Sequence, residues 1–368
     1  MSSYYLLPNS NIILSNCFKL EYSDIPTQNI LSPSLTHYLY ELLNNENCNT
    51  ALFYKLQNDV YPYYNTLINT SKYSHVFFEL LEIIQTMHLN KYLDTNITSL
   101  RMEDSKSVRL LNDERCKTPL QILSFEQNTK KPASIAFQYI RNTITHSLHP
   151  KDNFYYWNNN IYNIHSFERF YLTYAAKNHI IISNNNTYMN NKSILIQICM
   201  VLCTQIKKGI FIWKVGDTYS KFSLEIMFFL SSFYEKVYII KPSIIDVSKS
   251  DKYVVCKGFL YDNTYSIYTY LHSFVKHIDT YYHPKKHISS FLNVNIPNFF
   301  ISKLEEVNYI LGQTQLEQLQ YLLLLLSHKY KDEKIKNMER LNEQKCIEWC
   351  RKNRFFQNPN YLSEVHHP

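Results

Sequence analysis

One lysine, Lys214, interrupts an apolar run in the segment KKGIFIWKVGD, residues 207–217, which has the composition of a buried strand. An ammonium group in such a run is costly unless it is paired. Two chemistries fit a lysine at this position. If a second cation lowers its pKa, the amine can accept a proton from a poor nucleophile such as a hydroxyl group. If a carboxylate lies beside it, the lysine stays protonated as an ion-pair partner.

The cysteines and histidines do not form a recognisable metal or disulfide pattern. The eight cysteines include no CxxC pair, and two pairs spaced four residues apart, Cys199/Cys203 and Cys346/Cys350, fall on predicted helices where thiols pack against neighbours. Four histidines lie in LHSFVKHIDTYYHPKKH, residues 271–287, which we interpret as a solvated loop, with RNA contact as the alternative. We therefore expect no metal.

The composition is that of a globular protein. The chain has 368 residues, of which 45% are hydrophobic and 19% charged, and a formal net charge of +7. No apolar run reaches the ~18 residues of a membrane span. The start, MSSYYLLPNSNIIL, lacks the basic segment and cleavage site of a secretory signal. We expect a cytoplasmic protein with no membrane partner, and the modest positive charge permits a nucleic-acid partner.

Strand and helix patterns alternate through the middle of the chain and predict a doubly wound α/β sheet. Residues 1–60 are interpreted as an N-terminal extension, 61–262 as the sheet domain and 263–368 as a mostly helical C-terminal region. The predicted strands are 120–126, 154–164, 179–183, the strand around Lys214, 237–240 and 252–259, and the predicted helices of the sheet domain are 70–90, 133–145, 192–208 and 219–234.

The motifs of residues 179–259 come in a distinctive order. HIIISNNN precedes a helix that ends in TQIKKG, IFIWKVGD follows, and YIIKPSIIDVSKSDKYVVCKGF closes the segment. This order resembles the FtsJ-type, or RrmJ-like, ribose 2′-O-methyltransferases, particularly the divergent versions of large DNA viruses. The resemblance implies a Rossmann-like fold that uses S-adenosylmethionine (SAM), with helical N- and C-terminal additions. It also implies a catalytic Lys-Asp-Lys-Glu tetrad.

The resemblance assigns each tetrad position to one residue of this chain. The strand lysine matches Lys214, and the helix pattern around the first family lysine overlays ELLEII, which puts Glu79 at that position. The family aspartate overlays Asn184 in ISNNN, and the glutamate overlays Asp251 in SDKY. One of the four family identities is therefore kept.

The loop that binds SAM in the family is also altered. The family has an acidic residue followed by P-G-G-F, where glycine lets the backbone approach the cofactor. The corresponding segment, LSFEQNTKKPASIAF, keeps Glu126 and Pro132 but has Ala133 and Ser134 at the glycine positions. The first glycine of the whole chain is Gly209, so no glycine-rich loop precedes it.

These substitutions reverse the expected electrostatics of Lys214. In the family, a second lysine beside the strand lysine lowers its pKa. A carboxylate at residue 79 would instead raise the pKa of Lys214, so we expect Lys214 to be protonated and not to act as a base. We therefore predict an inactive methyltransferase-like domain that binds RNA or serves as a scaffold in viral mRNA capping or processing, with no cofactor, in the cytoplasm, a viral factory or a virion. The candidate RNA contacts are Lys241, Lys249, Lys252 and Lys257.

Two alternatives stay open at this point. The chain is an active SAM-dependent RNA (cap) 2′-O-methyltransferase if the assigned residues are misplaced; acids such as Asp113 and Glu114 would then serve a rearranged site. It is a structural protein if its C-terminal helices assemble a complex, with Trp349, Phe355 and Phe356 contacting a protein partner.

Overall fold

The computed structural model of the chain contains helices packed on a mixed seven-stranded sheet. It describes residues 3–24, 29–50, 53–54, 73–89, 121–125, 135–139, 153–157, 162–175, 177–184, 189–283, 285–327 and 331–355. The strands are β1 (Ser3–Leu6), β2 (Phe18–Ser23), β3 (Gln121–Phe125), β4 (Asn153–Tyr156), β5 (Asn178–Ser183), β6 (Gln205–Val215), β7 (Tyr234–Lys241), β8 (Lys252–Phe259) and β9 (His287–Leu292). The helices are α1 (Pro33–Leu43), α2 (His75–Thr86), α3 (Ile164–Tyr174), α4 (Asn191–Thr204), α5 (Lys221–Ser231), α6 (Tyr265–Tyr281), α7 (Asn298–Ser327) and α8 (Lys331–Lys352), and residues 135–139 are also helical.

The large sheet has the strand order β1-β7-β8-β6-β5-β3-β4. Strands β4, β3, β5 and β6 are parallel, whereas β8 runs antiparallel to both of its neighbours, β6 and β7. Strand β4 lies on one side of β3, and the next strand along the chain, β5, lies on the other side of β3. The direction in which strands are added to the sheet therefore reverses between β3 and β5. In open α/β sheets, ligands bind beyond the carboxyl ends of the strands at such a reversal.

Alternating side chains of the strands build a separate apolar core on each face of the sheet. On β6, Phe211 and Trp213 join the core that is covered by α3, α4, α5, α6 and the first half of α7. Ile210 and Ile212 join the core of the opposite face, which α2, Phe137 and the end of α8 cover. The observed fold is thus an α/β structure with a mixed seven-stranded sheet and helices on both faces, which is consistent with the doubly wound class that the element pattern predicts.

Segments of the predicted N-terminal extension pack against both of the other predicted parts of the chain. Strand β1 joins the large sheet by pairing antiparallel with β7, and β2 forms a separate two-stranded sheet with β9. Helix α1 packs on the second half of α7. The three-part division at residues 60 and 262 stays a prediction, but the segments on either side of these boundaries share sheets and core.

Strand β6 begins earlier than the sequence predicts. The predicted helix 192–208 ends at Thr204, and Gln205 already pairs with Asn178 of β5. The register then shifts before Ile210, and Lys208 has a φ of 63°. Gly209 is required in this irregular stretch, because a Cβ there would lie 2.6 Å from Cγ of Gln205. Pairing with β5 therefore overrides the helical pattern of the sequence.

Two further interpretations of the sequence are corrected. The histidine-containing stretch interpreted as a loop is mostly helix α6, in which Leu271, Phe274, Val275 and Ile278 face the core at helical spacing. The strand predicted at 154–164 is the four-residue β4, and α3 begins at Ile164. Within the described ranges, no helix combines the length and the apolar character needed to cross a membrane.

Candidate functional site

Lys214 lies near the carboxyl end of β6, on the face of the sheet that α2 covers. It follows Ile210 and Ile212 at a spacing of two, and both belong to the core on that face. Its Nζ atom lies 2.8 Å from Oε2 and 3.1 Å from Oε1 of Glu79, and 3.6 Å from Oδ2 of Asp251. The Lys214 and Glu79 side chains are only 16% and 10% exposed, so water screens their ion pair weakly.

Helix α2 brings Glu79 to this position because all of its residues from Phe77 to Ile84 are buried. Glu79 also accepts a hydrogen bond of 2.5 Å from the hydroxyl group of Tyr253. Tyr253 is the cross-strand partner of Lys214 in the β6–β8 ladder, and its hydroxyl lies 3.3 Å from Oδ1 of Asn184, just beyond β5. Glu79, Asn184, Lys214 and Asp251 are thus brought together as the resemblance implies, around a tyrosine that the sequence analysis did not identify.

The pKa of Lys214 is raised above its ordinary value. Burial alone would lower it, but the charges and hydrogen bonds of Glu79 and Asp251 together outweigh the cost of burial. The direction agrees with the expectation from the sequence. At neutral pH this group is an ammonium ion and cannot accept a proton from a substrate.

A second acid of α2, Glu82, ties α2 to two other parts of the chain. It is fully buried and accepts hydrogen bonds of 2.8 Å from the backbone N–H and the hydroxyl of Ser243, 3.3 Å from the N–H of Ile244 and 2.7 Å from Nε1 of Trp349. Glu82 therefore holds the β7–β8 loop, residues 242–251, and α8 against the helix that carries Glu79.

The C-terminal aromatic residues pack inside the chain. Trp349 and Phe355 are 4% and 5% exposed and make edge-on contacts with Phe78 of α2. They therefore present no surface to a protein partner, contrary to the role given to them in the structural alternative. Phe356 lies outside the described residues, as do Asp113 and Glu114.

Two clefts meet at Lys214 and Asp251. The larger cleft, about 410 Å³, lies between the carboxyl end of β6 and the beginnings of α4 and α5. Its lining includes Trp213, Gly216 and Ser250. The smaller, about 320 Å³, lies between α2 and the β7–β8 loop and is lined in part by His75, Glu79 and Lys249. The ion pair thus stands in the wall between two open spaces at the carboxyl edge of the sheet.

The candidate RNA-binding lysines differ in their surroundings. Lys241 and Lys252 are only 9% and 5% exposed, so neither side chain is placed to contact RNA directly. The Nζ atom of Lys257 donates to the backbone oxygen of Met87 at 3.1 Å. Lys249 is exposed and lines the smaller cleft. Burial thus leaves Lys249 as the candidate best placed for contact.

The remaining assigned positions belong to the cofactor loop. Glu126, Pro132, Ala133 and Ser134 all lie outside the described residues. Among the residues that are described, no group of three or more His, Cys, Asp or Glu side chains is arranged to hold a metal ion.

A scan against protein-family models found no match to this chain, and a search of curated proteins found none either.

Proposed function

We propose that this chain has a ribose 2′-O-methyltransferase-like fold without methyl-transfer chemistry and acts as an RNA-binding or scaffold subunit in viral mRNA capping or processing. The observation that carries the proposal is the 2.8 Å ion pair between Lys214 and Glu79. A lysine that assists a ribose hydroxyl must be able to give up its own proton. Glu79 stabilises the protonated form and so opposes that role.

The described residues do not fit the methyl-transfer site that the resemblance implies. Such a site places a second lysine beside Lys214 and a carboxylate after the strand that corresponds to β5, and these positions hold Glu79 and Asn184. We therefore expect neither methyl transfer nor resident SAM.

The clefts support a role in binding RNA. They lie beyond the carboxyl ends of the parallel strands, where ligands bind in open α/β sheets. The larger cleft is lined by Trp213, whose buried Nε1–H has no hydrogen-bond partner in the structure as described. The smaller one is lined by the exposed Lys249, a side chain suited to a phosphate. The proposed site of action is the cytoplasm, a viral factory or a virion. The proposed protein partner is a component of the capping complex.

Calorimetry with SAM and with a short single-stranded RNA tests the proposal on the same preparation. We expect no saturable heat from SAM at concentrations up to about 1 mM. We expect RNA to bind, with an affinity that falls about 10-fold or more between 50 and 200 mM salt, because phosphate contacts release counterions.

Two single variants serve as a matched pair for the RNA arm. Lys249→Gln, beside the smaller cleft, is expected to weaken binding and to flatten its salt dependence. Lys177→Gln removes an exposed lysine next to the amino end of β5, at the opposite edge of the sheet, and is expected to change neither. Micromolar SAM binding would favour the active enzyme, and absence of RNA binding would leave only a protein scaffold.

A further inference from the structure

Two buried lysines, Lys241 and Lys252, lie side by side at one end of the β7–β8 hairpin. Lys241 ends β7 and Lys252 begins β8, one step beyond the paired residues Ile240 and Tyr253. Buried ammonium groups are normally neutralised by a carboxylate. None of the ion pairs found in the described part of the chain includes either lysine.

Both ammonium groups instead donate to backbone carbonyl oxygens of two loops. Nζ of Lys252 lies 2.6 Å from the oxygen of Gly216, in the turn between β6 and α5, and 3.3 Å from that of Ser250. Nζ of Lys241 lies 3.4 Å from the oxygen of Val247 and also donates to that of Lys249. The two lysines therefore hold the second half of the β7–β8 loop and the β6–α5 turn together.

These two segments form the walls of the clefts. Gly216, Ser250 and Asp251 line the larger cleft, and Lys249 and Asp251 line the smaller one. The first half of the β7–β8 loop is fixed separately, by Glu82. A movement of the second half would displace Asp251 from Lys214 and widen both clefts.

Acidic groups of both loops lie near the lysines, and helix α7 packs on the same loops. Asp217 of the β6–α5 turn and Asp246 and Asp251 of the β7–β8 loop are the nearby acids, and each lysine is also close to the other. Helix α7 contributes neutral contacts: Asn308 bonds with Thr218 at 2.5 and 2.9 Å, and Gln315 donates to the oxygen of Ser248 at 3.1 Å. The acids therefore offset only part of the cost of burying two like charges.

We propose that Lys241 and Lys252 make the closing of these loops over the clefts dependent on pH, because the closed arrangement buries two neighbouring cations that the open arrangement exposes to water. The device does not depend on which ligand the clefts hold.

The sign follows from proton linkage. Burial, and for Lys241 also the charge of Lys252, lowers the pKa of each lysine from 10.5 to about 8 in the closed arrangement. In an open arrangement water restores the ordinary value, so between about pH 8 and 10.5 the open form binds more protons. Opening is therefore easiest below about pH 8 and becomes harder as the pH rises through this window.

Native-state hydrogen exchange of the full chain tests the proposal. Amides of the β7–β8 loop after Val247 and of the β6–α5 turn are followed at pH 7 and pH 9.5, with rates corrected for the intrinsic effect of pH. Each lysine whose pKa changes from about 8 to 10.5 is expected to lower the opening constant about 30-fold between these two pH values. The two lysines together are therefore expected to lower it by several hundred-fold in the unmodified protein, and each single variant is expected to leave about a 30-fold fall. The exchange of β6 itself serves as the internal reference.

Variants separate this effect from a general change in stability. Lys241→Met and Lys252→Met are each expected to remove part of the pH dependence of loop exchange, whereas Lys236→Met, an exposed site on the same strand β7, leaves it intact. Should either lysine variant fail to fold, titration of the lysine side chains of the unmodified protein by NMR replaces it. Loop opening that does not change with pH, or two lysines that both titrate near 10.5, overturns the proposal.

Discussion

Replacing Glu79 by glutamine is expected to lower the free energy of unfolding by about 3 kcal/mol, because it leaves a buried ammonium group without its main partner. Glutamine keeps the size of the side chain and an acceptor for Tyr253, so the loss reports the charge. Asp251, 3.6 Å from Lys214, retains part of the stabilisation. Urea unfolding at neutral pH measures the change.

The Lys303–Glu306 pair provides the control. It has the same N–O distance of 2.8 Å, but its side chains are 33% and 52% exposed. Glu306→Gln is therefore expected to cost less than about 1 kcal/mol. The double variant Glu79→Gln/Lys214→Met should recover part of the loss, because it removes the unpaired charge together with its partner. If Glu79→Gln is as mild as Glu306→Gln, the buried ion pair does not exist in solution.

Trp349→Ala is expected to cost about 3–5 kcal/mol, the range for removing a large buried aromatic side chain. Trp349 is 4% exposed, packs edge-on against Phe78 and Phe355, and donates a 2.7 Å hydrogen bond to the buried Glu82. Its removal leaves a cavity between α8 and α2 and takes one of four donors away from Glu82. The measurement is again unfolding in urea, with the m-value checked for loss of two-state behaviour.

Trp349→Phe separates the hydrogen bond from the packing. It keeps an aromatic ring and is expected to cost about 1.5–3 kcal/mol, as for a hydrogen bond to a charged group. Leu172→Ala, at a leucine that is 80% exposed on α3, controls for a general effect of truncation and should stay within about 0.5 kcal/mol. A mild effect of Trp349→Ala would mean that α8 is not fixed on α2, which would restore the alternative in which the C-terminal helices serve a protein partner.

The sequence predicts those helices and strands whose apolar residues follow a single regular spacing or form a continuous buried run. Strand β8 has its predicted limits, Lys252–Phe259, and β5 and α2 lie within one to five residues of theirs, because buried strands and amphipathic helices are marked by local sequence. The sheet of β2 and β9 joins segments more than 250 residues apart, and no local pattern specifies such a partner. Gln205 likewise belongs to β6 because it pairs with Asn178 of β5, a contact that the local sequence does not specify.

The candidate site likewise contains some features that the sequence predicted and others that it did not. The resemblance to the FtsJ-type family implied that Glu79 and Asp251 lie near Lys214, and their carboxylate oxygens lie 2.8 and 3.6 Å from its Nζ atom. Burial of Lys241 and Lys252 was not predicted, because the groups that they contact are backbone carbonyl oxygens, whose positions depend on the path of the two loops and not on residue type. Tyr253 could have been found from the ladder alone: it lies directly opposite Lys214 once β6 and β8 are paired.

An NMR titration of the side-chain amine of Lys214, in the unmodified protein and in Glu79→Gln, tests whether Lys214 is a protonated ion-pair partner. We expect a pKa of Lys214 above the ordinary 10.5, and we expect this pKa to fall when Glu79 is replaced by the uncharged glutamine. The stabilisation from the pair should then be complete below pH 10.5 and disappear as the pH rises through the raised pKa. A Lys214 amine that titrates well below 10.5 in the unmodified protein would contradict the ion-pair assignment, because Glu79 would then not be stabilising the protonated form.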